Sequence, residues 1–214
     1  MKSILSTRKL TPEQKQPLWE KGIRVTEYDS ISISPIDFKM PEKVEHAIFT
    51  SKNTVEQLKR YNERIESCFC VGKKTKNVLE EIGFQVIAWA DYGKDLANII
   101  VKNYSDRKFT FFCGNRRRHE LPNILKENHI TFEEIQVYKT ALKPKKFEEK
   151  FDGILFFSPS GVESFCLENN LQDSIACCIG YTTATEAKTH TNKIVVAEEP
   201  TIESLIDKVQ RSEL

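Results

Sequence analysis

The sequence predicts two α/β domains built on parallel sheets, one inserted into the other. Three observations predict it. Short apolar runs alternate with amphipathic stretches along most of the chain, a phrase of sequence is written twice, and two segments break the alternation with no helix after them. The first phrase, Ala47-Ile48-Phe49-Thr50-Ser51-Lys52-Asn53-Thr54-Val55-Glu56, returns as Leu155-Phe156-Phe157-Ser158-Pro159-Ser160-Gly161-Val162-Glu163. The second, Cys68-Phe69-Cys70-Val71-Gly72-Lys73-Lys74-Thr75, returns as Ala176-Cys177-Cys178-Ile179-Gly180-Tyr181-Thr182-Thr183. Ser51 and Ser158 stand 107 residues apart and Gly72 and Gly180 stand 108 apart, about half of the 214-residue chain. A period this long means paired domains, because solenoid repeats run ~20–50 residues.

In order along the chain, strands are predicted at Ser3 to Thr7, Ile23 to Tyr28, Ala47 to Ser51, Ser67 to Val71 and Val86 to Trp89. The series continues at Phe109 to Cys113, Thr131 to Tyr138, Gly153 to Phe157, Ile175 to Ile179 and Lys193 to Ala197. Helices fill the gaps. Thr11-Pro12-Glu13 sets a capping residue before proline at the first helical position, and Gly22 ends that helix. Gly83 ends the helix that begins near Lys73, and Glu199-Pro200-Thr201 opens the last one. The two interruptions are Ser30-Ile31-Ser32-Ile33-Ser34-Pro35 and Tyr138-Lys139-Thr140-Ala141-Leu142-Lys143-Pro144. Read as a pair of crossings, they divide the chain into a discontinuous domain, 1–30 with 142–214, and an inserted one, 34–138. Segments 30–34 and 138–142 are then connector strands.

A hydrophobic content of 39% suffices for two cores of about 100 residues each. The net charge of +1 draws the protein neither to nucleic acid nor to an anionic membrane. The apolar run in Met1-Lys2-Ser3-Ile4-Leu5-Ser6-Thr7-Arg8 is too short for a signal peptide, and no stretch nears the ~18 residues of a membrane span. A cytoplasmic location is expected. Cys68, Cys70, Cys113, Cys177 and Cys178 lie in strand-like runs and Cys166 in a helical one, without zinc-site spacing, so they read as buried reduced thiols.

Parallel α/β sheets bind ligands outside the carboxyl ends of their strands. Ser51, Gly72, Gly114, Ser158 and Gly180 are all predicted there, each just before a helix, where free amides and hydroxyls favour an anion. Serine is also an ordinary cap and glycine an ordinary turn residue; the doubling is what points to a site. Arg116, Arg117 and Arg118 are predicted on the turn into a helix, and Lys73, Lys74 and Lys76 on another; guanidinium groups suit carboxylates or phosphates. No Walker loop is present, and His46, His119, His129 and His190 form no triad or metal set. Tyr138, at a strand end that becomes a crossing, fits both a proton donor and a structural tyrosine.

These motifs resemble those of the uroporphyrinogen-III synthase family. The resemblance rests on Ile48-Phe49-Thr50-Ser51 with Val55-Glu56, Val71-Gly72 with Thr75, and Phe112-Cys113-Gly114-Asn115 through Leu121-Pro122. It continues through Val137-Tyr138-Lys139-Thr140, Phe156-Phe157-Ser158-Pro159-Ser160-Gly161, Ile179-Gly180 with Thr182-Thr183-Ala184, and Glu199-Pro200-Thr201. It implies two similar flavodoxin-like domains, one inserted in the other, joined by a two-stranded connector, with the active site in the interdomain cleft. It also implies a cofactor-free, metal-free lyase of tetrapyrrole (heme) biosynthesis. Hydroxymethylbilane would lose its terminal hydroxyl as water and close to uroporphyrinogen III with ring D inverted, through an azafulvene cation and a spiro intermediate. Spontaneous closure gives the uninverted isomer, so such an enzyme mainly controls conformation and stabilises charge.

By position, Tyr138 corresponds to the family's candidate acid, and Ser51, Thr75, Ser158, Thr182 and Thr183 to residues holding carboxylates. Gly72, Asn115 and Gly180 are expected as backbone donors, with Arg116 and Ser160 completing the binding set. Family members often carry proline and a basic residue after the first serine; here Lys52 supplies the cation. The resemblance implies a monomer and leaves open a handover of substrate from the preceding pathway enzyme. A non-catalytic two-domain sensor of a carboxylated small molecule is the alternative, since architecture alone does not imply chemistry. Nucleic-acid binding through Arg116 to Arg118 lacks a basic face or a recognised module.

Overall fold

The computed structural model describes residues 1–212, in two compact units: Met1–Ser32 with Ala141–Leu214, and Ile33–Thr140. In chain order the strands are β1 (Ser3–Ser6), β2 (Arg24–Glu27), β3 (Ile31–Pro35), β4 (Val44–Phe49), β5 (Ile65–Val71), β6 (Val86–Ala90), β7 (Lys108–Gly114), β8 (Thr131–Leu142), β9 (Gly153–Phe156), β10 (Ile175–Cys178) and β11 (Ile194–Val196). The helices are α1 (Pro12–Glu20), α2 (Lys52–Leu58), α3 (Lys73–Glu81), α4 (Gly93–Asn103), α5 (Glu120–Glu127), α6 (Pro159–Cys166), α7 (Tyr181–Ala187) and α8 (Ile202–Arg211).

The first unit holds a parallel sheet ordered β2-β1-β9-β10-β11. Numbered within the unit this is 2-1-3-4-5, the flavodoxin-like order, whose direction reverses between β1 and β9. Both central strands are buried on both faces, which is why they read as unbroken apolar runs. Alternation sends Leu5, Ile154 and Phe156 to a core beneath α6 and α7, and Ile4, Leu155 and Cys177 to a second core beneath α1 and α8. Caps match the local sequence. Thr11 and Gln14 form a reciprocal capping box on α1, and Thr201 caps α8 by accepting from the Ser204 N–H.

The second unit is ordered β3-β8-β7-β4-β5-β6, with β4, β5, β6, β7 and β8 all parallel. Phe49, Phe69, Phe111 and Phe112 are its largest fully buried side chains, each contributing about 2–3 kcal/mol through burial. Ala47, Phe49, Cys68, Cys70 and Phe112 face one core with α2 and α3, whereas Ile48, Phe69, Phe111 and Cys113 face the other with α4 and α5. The second crossing is no separate segment: β8 runs unbroken from Thr131 to Leu142.

The two sheets share one layout but are threaded differently. Laid out as β8-β7-β4-β5-β6, the second unit reads 5-4-1-2-3 against 2-1-3-4-5 in the first. Thr7, after β1, and Gly114, ending β7, stand 107 residues apart, as Ser51 and Ser158 do. The repeat is therefore not the domain. The first half of the chain supplies β1 and β2 to one unit and β4, β5 and β6 to the other; the second half does the converse. Strands pair by position in space, and the Thr7 hydroxyl donates to the Leu155 carbonyl across 148 residues of sequence.

Candidate functional site

In the second unit Ser51 caps α2, its Oγ accepting from the Asn53 N–H at 3.1 Å, with Lys52 exposed at the first helical position. A hydroxyl that accepts an amide proton keeps its own proton for a ligand. Gly72 has φ +89°, a conformation that selects glycine, and it begins α3 with no side-chain cap. Its N–H donates to the Ala90 carbonyl at 2.8 Å, which corrects the expectation that this amide is a ligand donor. Thr75, in the first turn of α3, is buried. Of the three lysines there, Lys76 lies over the Trp89 ring and pairs with Glu80 at 3.5 Å.

The β7 end differs from expectation. Gly114 does not precede a helix directly: α5 starts at Glu120 with His119 as its N-cap, so Arg116, Arg117 and Arg118 occupy the intervening loop. Arg117 grips the Glu134 carboxylate with both faces of its fork, Nη2 lying 2.8 Å from Oε1, and is thereby withdrawn from ligand binding. Arg116 is exposed. The Asn115 amide, expected as a ligand donor, instead donates to the Tyr138 carbonyl at 3.3 Å, and its side chain bonds Thr140. Tyr138 is half-buried on β8 with its ring laid against Gly114, and among the described residues its hydroxyl makes no hydrogen bond.

In the first unit Ser158 caps α6, accepting from the Gly161 N–H at 3.1 Å, beside the half-buried Ser160. A Cβ on Gly161 would come within 3.2 Å of the Ser30 Oγ and 3.5 Å of the Thr7 and Ser158 hydroxyls, so the three hydroxyls crowd closely around this position. Thr7 and Ser30 are buried, and Ser30 Oγ donates to the Thr7 carbonyl at 3.0 Å. These hydroxyls lie where the strand order reverses, and exposed Arg8 extends over the Phe157 ring. Gly180 is extended, at φ −179°, and starts α7 with no side-chain cap. Thr182 is half-buried and Thr183, matching Thr75 in the repeat, is buried, so Thr182 is the better placed to meet a ligand.

Thr7, Arg8 and Ser30 escaped the sequence reading. A signal for two of them existed: Leu5-Ser6-Thr7-Arg8 repeats the strand, hydroxyl, cation order of Phe49-Thr50-Ser51-Lys52. Burial pushes the thiols up, Cys113 and Cys166 to about 11 and Cys70, Cys177 and Cys178 to about 12, which makes them inert packing groups near neutral pH. Among the described residues no cluster of three or more His, Cys, Asp or Glu could hold a metal ion, and no helix is long and apolar enough to cross a membrane.

Comparison with known proteins gives a consistent result. A family model described as uroporphyrinogen-III synthase HemD matches residues 13–207. The porphyrin biosynthesis protein HemD of Ruminiclostridium josui is 28% identical over a 230-residue alignment that covers 91% of this chain and 45% of that protein. The chain thus spans about half the length of that curated relative. Among solved structures, a uroporphyrinogen-III synthetase from Helicobacter pylori superposes with a TM-score of 0.70 at 19% identity, covering 98% of both chains. A mutant uroporphyrinogen III synthase from Thermus thermophilus superposes with a TM-score of 0.72 at 14% identity, covering 99% of this chain and 98% of that one. At these identities the structural likeness is one of fold.

Proposed function

The chain belongs to the uroporphyrinogen-III synthase family, and from that premise we propose that it cyclises hydroxymethylbilane to uroporphyrinogen III, with loss of water and inversion of ring D. The observation that carries this reading is the family match over residues 13–207, which takes in the strand ends at Ser51, Gly72, Gly114, Ser158 and Gly180. The geometry supports it with hydroxyls, glycine-started helices and exposed cations at the carboxyl ends of parallel strands, a setting suited to carboxylates.

In this reading Ser51, Lys52 and Arg116 on one unit, and Ser158, Ser160, Gly180 and Thr182 with Arg8 on the other, receive carboxylates of the substrate. Thr75 and Thr183 shape the helix starts from within. The Tyr138 phenol gives its proton to the departing hydroxyl as the C–O bond breaks and water leaves. The resulting cation is delocalised over the terminal ring. The proton released when the macrocycle closes and becomes neutral restores the phenol. No cofactor enters this scheme, which is that of a lyase; orienting the chain for the inverted closure is the larger task.

The test is product analysis. Hydroxymethylbilane incubated with folded protein should yield the inverted isomer; appearance of the spontaneous isomer alone sinks the reading and favours a non-catalytic carboxylate sensor. Tyr138→Phe should slow turnover about tenfold or more at unchanged thermal stability, and full turnover in that variant would remove Tyr138 from the chemistry.

A further inference from the structure

We infer that Asn115 is a positioning residue: it extends strand β7 by means of its side chain and, with Gly114, fixes where the Tyr138 hydroxyl stands. The inference rests on the Tyr138 reading above for its consequence and on geometry for its substance. Along β7 and β8 the register runs Cys113 opposite Gln136, then Gly114 opposite Tyr138, so Val137 is an extra residue on β8. Such a bulge re-aims the residue after it and leaves the ladder weakened at that point. Here β7 also ends at Gly114, so nothing in its regular backbone holds β8 beyond Tyr138.

Asn115 supplies the missing rungs. Its backbone N–H donates to the Tyr138 carbonyl at 3.3 Å. Its side-chain Nδ2 donates to the Thr140 carbonyl at 3.2 Å, while the Thr140 N–H donates to its Oδ1 at 2.8 Å. A carboxamide carries one acceptor and one donor group in the arrangement of a peptide unit, so it can imitate the next residue of a strand. These bonds hold the chain at Tyr138 and two residues beyond it, while on the preceding side the Ile36 N–H donates to the Val137 carbonyl at 3.3 Å. Gly114 closes the arrangement from below, since a Cβ there would lie 2.4 Å from the Tyr138 Cζ and 2.8 Å from its hydroxyl oxygen. The ring is pressed onto a bare α-carbon, with its backbone pinned on either side. A proton donor must be held to within a fraction of an ångström to act, and this arrangement supplies that precision.

The test uses the full chain labelled with 3-fluorotyrosine at its six tyrosines and followed by fluorine NMR, the Tyr138 line being assigned from its loss in Tyr138→Phe. Asn115→Leu removes both side-chain bonds at similar volume, and Asn115→Asp keeps only the acceptor for the Thr140 N–H. The expected result is displacement or broadening of the Tyr138 line, larger for Leu than for Asp, with the other tyrosine lines unmoved. Gly114→Ala should displace the same line. A Tyr138 line unmoved in Asn115→Leu overturns the inference.

In turnover, Asn115→Leu should lower kcat about tenfold at unchanged KM, and combined with Tyr138→Phe it should add nothing further. A raised KM at unchanged kcat, or losses that multiply in the double variant, would make Asn115 a substrate contact and also overturn it. If Tyr138→Phe turns over at the full rate, the catalytic reading of Tyr138 fails on its own, while the fluorine line still decides whether Asn115 places the ring.

Discussion

Gly72 and Gly180 occupy equivalent places in the repeat, and changing each to alanine should separate two reasons for a glycine. At Gly72 the backbone is at φ +89° and ψ 130°, a region an L side chain enters at a cost of about 1–3 kcal/mol. For a chain of this size, about 2 kcal/mol lowers the melting temperature by roughly 4–8 °C. Gly180 has extended angles, and a Cβ there would meet only the Pro200 Cβ, at an ordinary 3.8 Å. Alanine at 180 therefore costs no strain and reduces the freedom of the unfolded chain, a change between zero and about 1 kcal/mol in favour of the fold. Folding does not require glycine at 180, and in the proposed function its bare backbone leaves room for a carboxylate of the substrate. Thermal unfolding by circular dichroism, followed by turnover of hydroxymethylbilane, tests both halves. Gly72→Ala should melt several degrees low, whereas Gly180→Ala should melt at or above the parent yet turn over about tenfold more slowly. Equal melting losses in the two variants would refute the backbone argument. A stable and fully active Gly180→Ala would refute the assignment of the α7 start to substrate.

Two further outcomes follow from the electrostatics. The buried thiols ionise at about 11 to 12 in the folded chain against an ordinary 9.0, so the folded state retains protons that the unfolded state loses. Their contribution is complete below about pH 8.5 and declines as pH rises from 9 toward 11, so the melting temperature should fall over that interval, less steeply in the Cys177→Ala, Cys178→Ala double variant; an identical slope in that variant would contradict the account. The Arg117 and Glu134 side chains are 17% and 25% exposed, and their paired contact should make Arg117→Ala cost about 1 kcal/mol, or roughly 2–4 °C, with turnover unaffected. A tenfold loss of turnover at unchanged melting would instead show Arg117 facing the substrate.

Much of the fold was legible because its signals are local. The apolar run from Cys68 to Val71 marks a strand whatever lies beside it, and Thr11 with Gln14 caps a helix through bonds spanning three residues. Parts of the site could be read in the same way, since Ser51 and Ser158 sit at strand ends by virtue of their immediate neighbours. The roles of Gly72 and Asn115 could not. Whether an amide is open to a ligand depends on who already accepts from it, and the acceptors here, Ala90 and Tyr138, come from other strands.

The sequence by itself determined a chain of alternating strands and helices, repeated at 107 residues, with hydroxyls and cations gathered at the strand ends. Only the tertiary structure decided how that repeat is used. It pairs β1 with β9 and β7 with β4, so each half of the chain completes the sheet begun by the other. It also lays Tyr138 on Gly114 and hands the last rungs of β7 to Asn115. Periodicity and capping come from residues within a turn or two of each other. Pairing, register and close approach come from residues brought together across the sheet, and these are settled by which arrangement buries the phenylalanine-rich faces on both sides while satisfying the backbone.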